Sequence, residues 1–209
     1  MKLFYFEVMN PRKACVVAKY LNSPVEFVHV DLAKGEHKTP QFLAINPNGK
    51  VPAFEDGATK LWEADAIMCH LARKAGSDLW PADDERKIDM IRWLSWNAIH
   101  FQQHAGSVYF EYIIKPMFAI GEPDVAAANE AIRSWRPFAG VLNDHLRGRK
   151  YLLGDKLSVA DFSVGIALPY AAEAHIPVDD FPEIVRWHDR LNELPAWREP
   201  FPAAKARAA

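Results

Sequence analysis

The chain has 209 residues, half of them hydrophobic and a quarter charged, with a formal net charge of −2. That length allows one large domain or two small ones with an ample core, and the near-neutral balance supplies no basic field for nucleic acid. No apolar run approaches the roughly 20 residues of a membrane span, and the first residues lack the charged and apolar regions of a signal peptide. A cytoplasmic protein without nucleic-acid or membrane partners is therefore expected. Cys15 and Cys69 are the only cysteines, with no CxxC or metal-like spacing, which fits a reducing compartment and no metal site.

In chain order, residues 2–6 (KLFYF) are rich in aromatics and suit a strand. Asn10 is a strong N-cap residue and Pro11 fits a first helical turn. Ala14, Val17, Ala18 and Leu21 then recur at helical spacing over 12–21. A strand end that meets a helix start attracts anions: phosphates, carboxylates or thiolates. Asn22-Ser23-Pro24 breaks the helix, and VEFVHVDL (25–32) reads as a second strand. Strand, helix and strand within about thirty residues make a βαβ unit with parallel strands. Thr39 and Pro40 start a short helix, and NPNGK (46–50) is a turn cluster. VPAFED (51–56) and TKLW (59–62) flank a hairpin signal at Gly57, and EADAIMCHLARKAG (63–76) is a helix ended by Gly76.

Beyond Trp80-Pro81 almost every segment reads as helix: 84–118, 124–147, 158–174 and 182–193, with Pro116, Pro123, Pro177, Pro182 and Pro195 at the breaks. In LSVADFSV (157–164), Ser158 and Asp161 form an Asp version of a capping box. AAKARAA at 203–209 reads as a frayed tail. The expected division is a βαβαββα domain at 1–78, a linker at 79–83 and an all-helical domain at 84–209.

This order resembles the cytosolic glutathione transferases. NPNGKVPAFEDG (46–57), WEADAI (62–67) and LSVADFSV resemble three of that family's motifs, in its order and at its spacing. The resemblance spans nearly the whole chain. It implies an α/β thioredoxin-like first domain that binds glutathione, an all-helical second domain, and a homodimer. Its bacterial theta-, nu- and beta-like members are the nearest in pattern.

The resemblance also implies roles for particular residues. Pro52 matches a cis proline, which would leave the backbone of Val51 to pair with the cysteinyl part of glutathione as an added strand does. Glu63 would face the ligand's ammonium group, and the N–H of Ala64 would hold the γ-glutamyl carboxylate at a helix start. The family's usual Ser at that place is Ala64 here, so a hydroxyl donor is lost. His37 and Lys50 match basic positions that meet the glycyl carboxylate. Met9 is the nearest match to a Ser that donates to the glutathione sulfur, and it has no donor. Asn10, within Asn10-Pro11-Arg12-Lys13, resembles an Asn that contacts the sulfur in nu-like members, so Asn10 is the catalytic candidate; capping its own helix is the alternative.

Other residues read as structural. Tyr5 on its strand suits the core, and Cys15 and Cys69 suit buried inert positions. His100 and His104 lie four apart, but no third ligand of matching kind is near them. Tyr109 and Tyr112 flank the Pro116 break and are candidates for an apolar electrophile pocket, expected between the domains.

The function that the resemblance implies is transfer of the glutathione thiolate to a small apolar electrophile, with glutathione as co-substrate and no metal. Two alternatives stay open: glutathione-dependent reduction of disulfides or peroxides, and a non-catalytic scaffold, which the missing hydroxyls at Met9 and Ala64 motivate.

Overall fold

The computed structural model describes residues 1–203. The chain divides into two compact units: Met1–Ser77 together with the segment from Asn192 onward, and Asp78–Leu191. The tail expected to fray lies, from residue 204 on, outside the described residues.

The first unit is built on a four-stranded sheet. In chain order it contains β1 (Lys2–Tyr5), α1 (Met9–Tyr20), β2 (Glu26–His29), α2 (Pro40–Leu43), β3 (Ala53–Asp56), β4 (Thr59–Trp62) and α3 (Ala64–Lys74). The strand order is β2-β1-β3-β4. β1 pairs parallel to β2 and antiparallel to β3, and β3 pairs antiparallel to β4. Alternation along β1 divides its side chains between the two faces. Leu3 and Tyr5 are buried on one face. Phe4 points to the other, edge-on to Phe42 with ring centroids 6.0 Å apart, beside Val30, Leu32 and Ala53. This βαβαββα arrangement is the thioredoxin-like fold expected from the sequence.

Two expectations are corrected here. Asn10 does not cap α1: the cap position is Val8 in extended backbone, and Met9 and Asn10 are the first two helical residues. Pro11 then falls at the third position, still inside the turn whose N–H groups have no intrahelical acceptor, so its missing donor costs nothing. The segment from Asn192, assigned to the helical domain from sequence, packs on α1 through contacts that local periodicity does not reveal. It includes α10 (Pro195–Arg198). Arg12 donates to the carbonyl of Trp197 at 2.5 Å and lies over its ring. Lys19 donates to the carbonyls of Glu199 and Phe201, both at 2.6 Å. Tyr5 stacks on Phe201 with centroids 5.9 Å apart.

The second unit is helical. It contains α4 (Asp84–Trp96), α5 (Gln102–Tyr109), α6 (Lys115–Phe118), α7 (Val125–Leu146), α8 (Val159–Val164) and most of α9 (Pro182–Asn192). The expected single helix over 84–118 is interrupted by two wider π-helical turns, Asn97–Phe101 and Phe110–Ile114. Each carries a buried polar side chain. Asn97 is fully buried, and its amide donates to the carbonyl and hydroxyl oxygens of Ser163 in α8, at 3.0 and 3.1 Å. Buried Glu111 accepts the N–H of Asp124 at 2.7 Å and pairs with Lys115 at 2.5 Å, which fixes the start of α7.

Asp161 is the polar centre of this unit. Its carboxylate accepts from Leu152 N–H at 2.8 Å, Ser158 N–H at 2.9 Å, Ser158 hydroxyl at 2.8 Å and the Trp187 indole at 3.1 Å. The capping box of α8 is therefore complete. Burial raises the Asp161 carboxyl to about 6, and these hydrogen bonds oppose the rise. Among the described residues no helix is long and apolar enough to cross a membrane, and no group of three or more His, Cys, Asp or Glu is placed to hold a metal.

Candidate functional site

Strand register gathers the candidate residues of the first unit at one end of its sheet. Phe4 pairs with Ala53, and Ala53 pairs with Trp62. The exit of β1, the entry of β3 and the exit of β4 therefore share an edge. Three pairs of candidates follow from those points: Met9 and Asn10 after β1, Val51 and Pro52 before β3, and Glu63 and Ala64 after β4. A 3.0 Å ion pair between Lys13 of α1 and Asp65 of α3 ties the two helices together there.

The turn at 46–50 is built by Asn46, which is 3% exposed. Its amide donates to Lys50 O at 2.6 Å, and its side-chain oxygen accepts the Asn48 N–H and amide, both at 3.0 Å. Gly49 has φ +59°, and a Cβ there would lie 2.9 Å from Lys38 Nζ and 3.1 Å from the His37 carbonyl. A side chain is excluded by both conformation and space. This close approach sets the single 3₁₀ turn of Glu36–Lys38, and with it His37, against the Gly49-Lys50 backbone. His37 is half-buried, and burial followed by the Lys38 charge holds its imidazole below the usual range. Lys50 is exposed. The Val51-Pro52 bond is cis. Among the described residues the Val51 N–H and C=O make no backbone hydrogen bond.

Two helix starts face this edge, and they share a feature. No side chain caps α1 at Val8 or α3 at Glu63. Elsewhere Thr39 caps α2, Asp83 caps α4, Asp124 caps α7 and Ser158 caps α8, while the start of α10 at Leu194 also lacks a side-chain cap. An uncapped start leaves N–H donors and the positive end of the helix dipole for another acceptor. Met9 is buried at 4% exposure, whereas Asn10 is exposed. Glu63 is exposed at φ +69°, ψ 118°, a backbone conformation that costs a non-glycine residue about 1–3 kcal/mol. Ala64 behind it is buried.

The remaining candidates divide as follows. Burial pushes the Cys15 thiol far up and the Cys69 thiol up to about 12, so neither is a thiolate at neutral pH. Tyr5 is a core residue whose hydroxyl is raised by burial and then by Glu7. In the second unit Tyr109 is buried, its ring 4.9 Å from Tyr170, and half-buried Tyr112 meets His175 at 4.7 Å. Neither lines the cavity of about 260 Å³ beside Ile176 and His188, nor the open groove of about 680 Å³ beside His104 and Phe110. His100 and His104 both stack on Phe138, at 4.7 and 5.6 Å. The buried Lys13–Asp65 pair and the left-handed Glu63 were not foreseen from sequence. Lys13 follows Arg12 at the head of the apolar run Ala14–Ala18, and local sequence carried no signal that its charge is buried.

Comparison with known proteins identifies relatives. The family models for the glutathione S-transferase N-terminal and C-terminal domains match residues 1–73 and 106–195. A probable glutathione S-transferase of rice (Oryza sativa subsp. japonica) is 32% identical over 190 residues, covering 90% of this chain and 88% of the relative. Glutathione S-transferase 3 of maize (Zea mays) is 34% identical over 182 residues, covering 83% and 80%. Among solved structures, maize glutathione S-transferase I in complex with an atrazine–glutathione conjugate superposes with a TM-score of 0.86 at 28% identity, over 95% of each chain. The bacterial theta-, nu- or beta-like subgroup expected from the sequence is corrected: these relatives are plant glutathione S-transferases.

Proposed function

The chain belongs to the glutathione S-transferase family, and from that premise we propose that it joins the glutathione thiolate to a small apolar electrophile. The observation that carries this reading is the pair of uncapped helix starts, α1 and α3, at one end of the sheet. Glutathione has anionic groups at matching places: a thiolate in its middle and a carboxylate at its γ-glutamyl end. The reaction forms a sulfur–carbon bond, expels the electrophile's leaving group or opens its acceptor bond, and releases the thiol proton to water.

In this reading Asn10 and the first N–H groups of α1 stabilise the thiolate, with Met9 packed behind them. The backbone of Val51, turned outward before Pro52, pairs with the cysteinyl residue. The Ala64 N–H takes the γ-glutamyl carboxylate, and Glu63 takes the ammonium. His37 and Lys50 meet the glycyl carboxylate. Tyr109 and Tyr112 are the residues proposed for the electrophile. A cytoplasmic homodimer completes the proposal.

Titration of the glutathione complex by thiolate absorbance tests it. The wild-type complex should show the thiolate well below the pH at which free glutathione ionises, and Asn10→Ala should move the transition back toward the free value. Binding with an unshifted thiol would remove Asn10 from its role. No binding at millimolar glutathione would favour the scaffold reading, for which the missing hydroxyls of Met9 and Ala64 speak.

His37 adds a pH dependence. In the free protein its imidazole is depressed, so it is largely neutral at pH 7. A carboxylate bound beside it favours the protonated form, so binding takes up a proton. The share of glutathione affinity that depends on His37, read as the ratio of wild type to His37→Ala, should therefore rise as pH falls from 7.5 to 5.5, by up to about tenfold for each unit by which binding raises the His37 pKa. Calorimetry in two buffers of different ionisation enthalpy reads the net proton exchange on binding, and His37→Ala should shift it toward release relative to wild type.

A further inference from the structure

Lys13 is a charged residue with no assigned part in the reaction, yet only 3% of it is exposed. Its ammonium lies 3.0 Å from Asp65 Oδ1, and the Asp65 side chain is 23% exposed. Asp65 follows Ala64 directly, in the first turn of α3. The γ-glutamyl carboxylate is proposed to bind there. An acidic side chain in a first turn uses the same helix-dipole field that an anionic ligand would use, and it repels that ligand. A buried lysine is also costly unless paired. Both difficulties are removed by the same contact.

We propose that Lys13 is a positioning residue that cancels the Asp65 charge, and so keeps the start of α3 receptive to the γ-glutamyl carboxylate of glutathione. The same contact holds the α3 start against α1, whose own start is proposed to hold the sulfur. The sulfur and the γ-glutamyl end of the ligand are thereby kept in register by one ion pair. This inference rests on the glutathione reading above.

Steady-state kinetics and calorimetry on the full chain test it. Lys13→Met should raise the KM for glutathione and weaken its binding about tenfold or more, with kcat at saturating glutathione little changed. Lys13→Arg should retain wild-type binding. Lys13→Met/Asp65→Asn, which removes both charges, should recover most of the lost affinity. A glutathione analogue whose γ-glutamyl α-carboxylate is an amide should bind wild type and Lys13→Met alike. A merely structural lysine would give none of this recovery and no dependence on that carboxylate. Should Lys13→Met fail to fold, Asp65→Asn still decides: it should bind glutathione at least as tightly as wild type, and weaker binding would overturn the inference. So would an unchanged KM in folded Lys13→Met, or a double variant no better than the single one. If wild type itself fails to bind glutathione, the parent reading and this inference fall together. Wild-type binding with an indifferent Lys13 overturns the inference alone.

Discussion

Asp161→Ala should destabilise the protein by about 4 kcal/mol, enough to lower Tm by roughly 8–16 °C for a chain of this size. The substitution leaves two backbone N–H groups and the Trp187 indole N–H without their buried acceptor. Each unsatisfied donor costs about 1–3 kcal/mol. The relief of no longer burying a carboxylate offsets part of that sum. The pH dependence has a definite sign. Burial raises the Asp161 carboxyl to about 6 from its ordinary 3.8. Between those values the folded protein keeps a proton that the unfolded chain has released. The stabilising contribution is therefore present in full below about pH 4 and lost as pH rises through about 6. The gap in unfolding free energy between wild type and Asp161→Ala should accordingly be wider at pH 4 than at pH 7.5, by about 2 kcal/mol. Urea unfolding at both pH values measures it. A gap that narrows at pH 4 would mean that the four donors hold the carboxylate ionised against its burial.

Glu63→Gly should act in opposite directions on stability and on ligand binding. The Glu63 backbone stands at φ +69°, ψ 118°. Glycine adopts such a conformation without a Cβ penalty, but loses more freedom on folding. The net effect should be a gain of about 1 kcal/mol. The same change removes the carboxylate proposed to face the ammonium of glutathione. A charged hydrogen bond of that kind contributes about 1.5–3 kcal/mol, so affinity should fall roughly ten- to a hundredfold. Thermal unfolding and calorimetric titration of one variant read both signs. A variant that is more stable and binds glutathione as before would remove Glu63 from the site.

The sequence carried the fold wherever its signals were local. TKLW at 59–62 is β4 residue for residue, Thr39 caps α2 as expected, and the Ser158–Asp161 box starts α8. Strand pairing followed from the βαβ spacing and the hairpin turn. What local patterns could not carry was set by distant partners. Each π turn of the long helical stretch carries a buried polar residue, Asn97 or Glu111, whose partner, Ser163 or Asp124, comes from later in the chain. The start of α1 falls before Asn10 because a proline is tolerated throughout a first turn, so a cap residue near a proline does not fix the boundary. At the site, the motif residues and their clustering were legible from the resemblance. The buried charge of Lys13 was not, because a lysine beside Arg12 near a helix start reads equally as a solvated one until its partner is located.

The grip of Arg12 and Lys19 on residues 197–201 has a consequence for biosynthesis. Arg12 and Trp197 are 185 positions apart in the chain. At about 5–20 residues added per second, the ribosome needs roughly 10–40 s to travel from one to the other. During that interval α1 can form and dock on its sheet, but its outer face has no covering and its arginine no carbonyl to meet. The first unit to be translated is therefore the last to be finished. A nascent chain stalled shortly after residue 80 should be more open to chaperones and proteases than the same residues in the released protein.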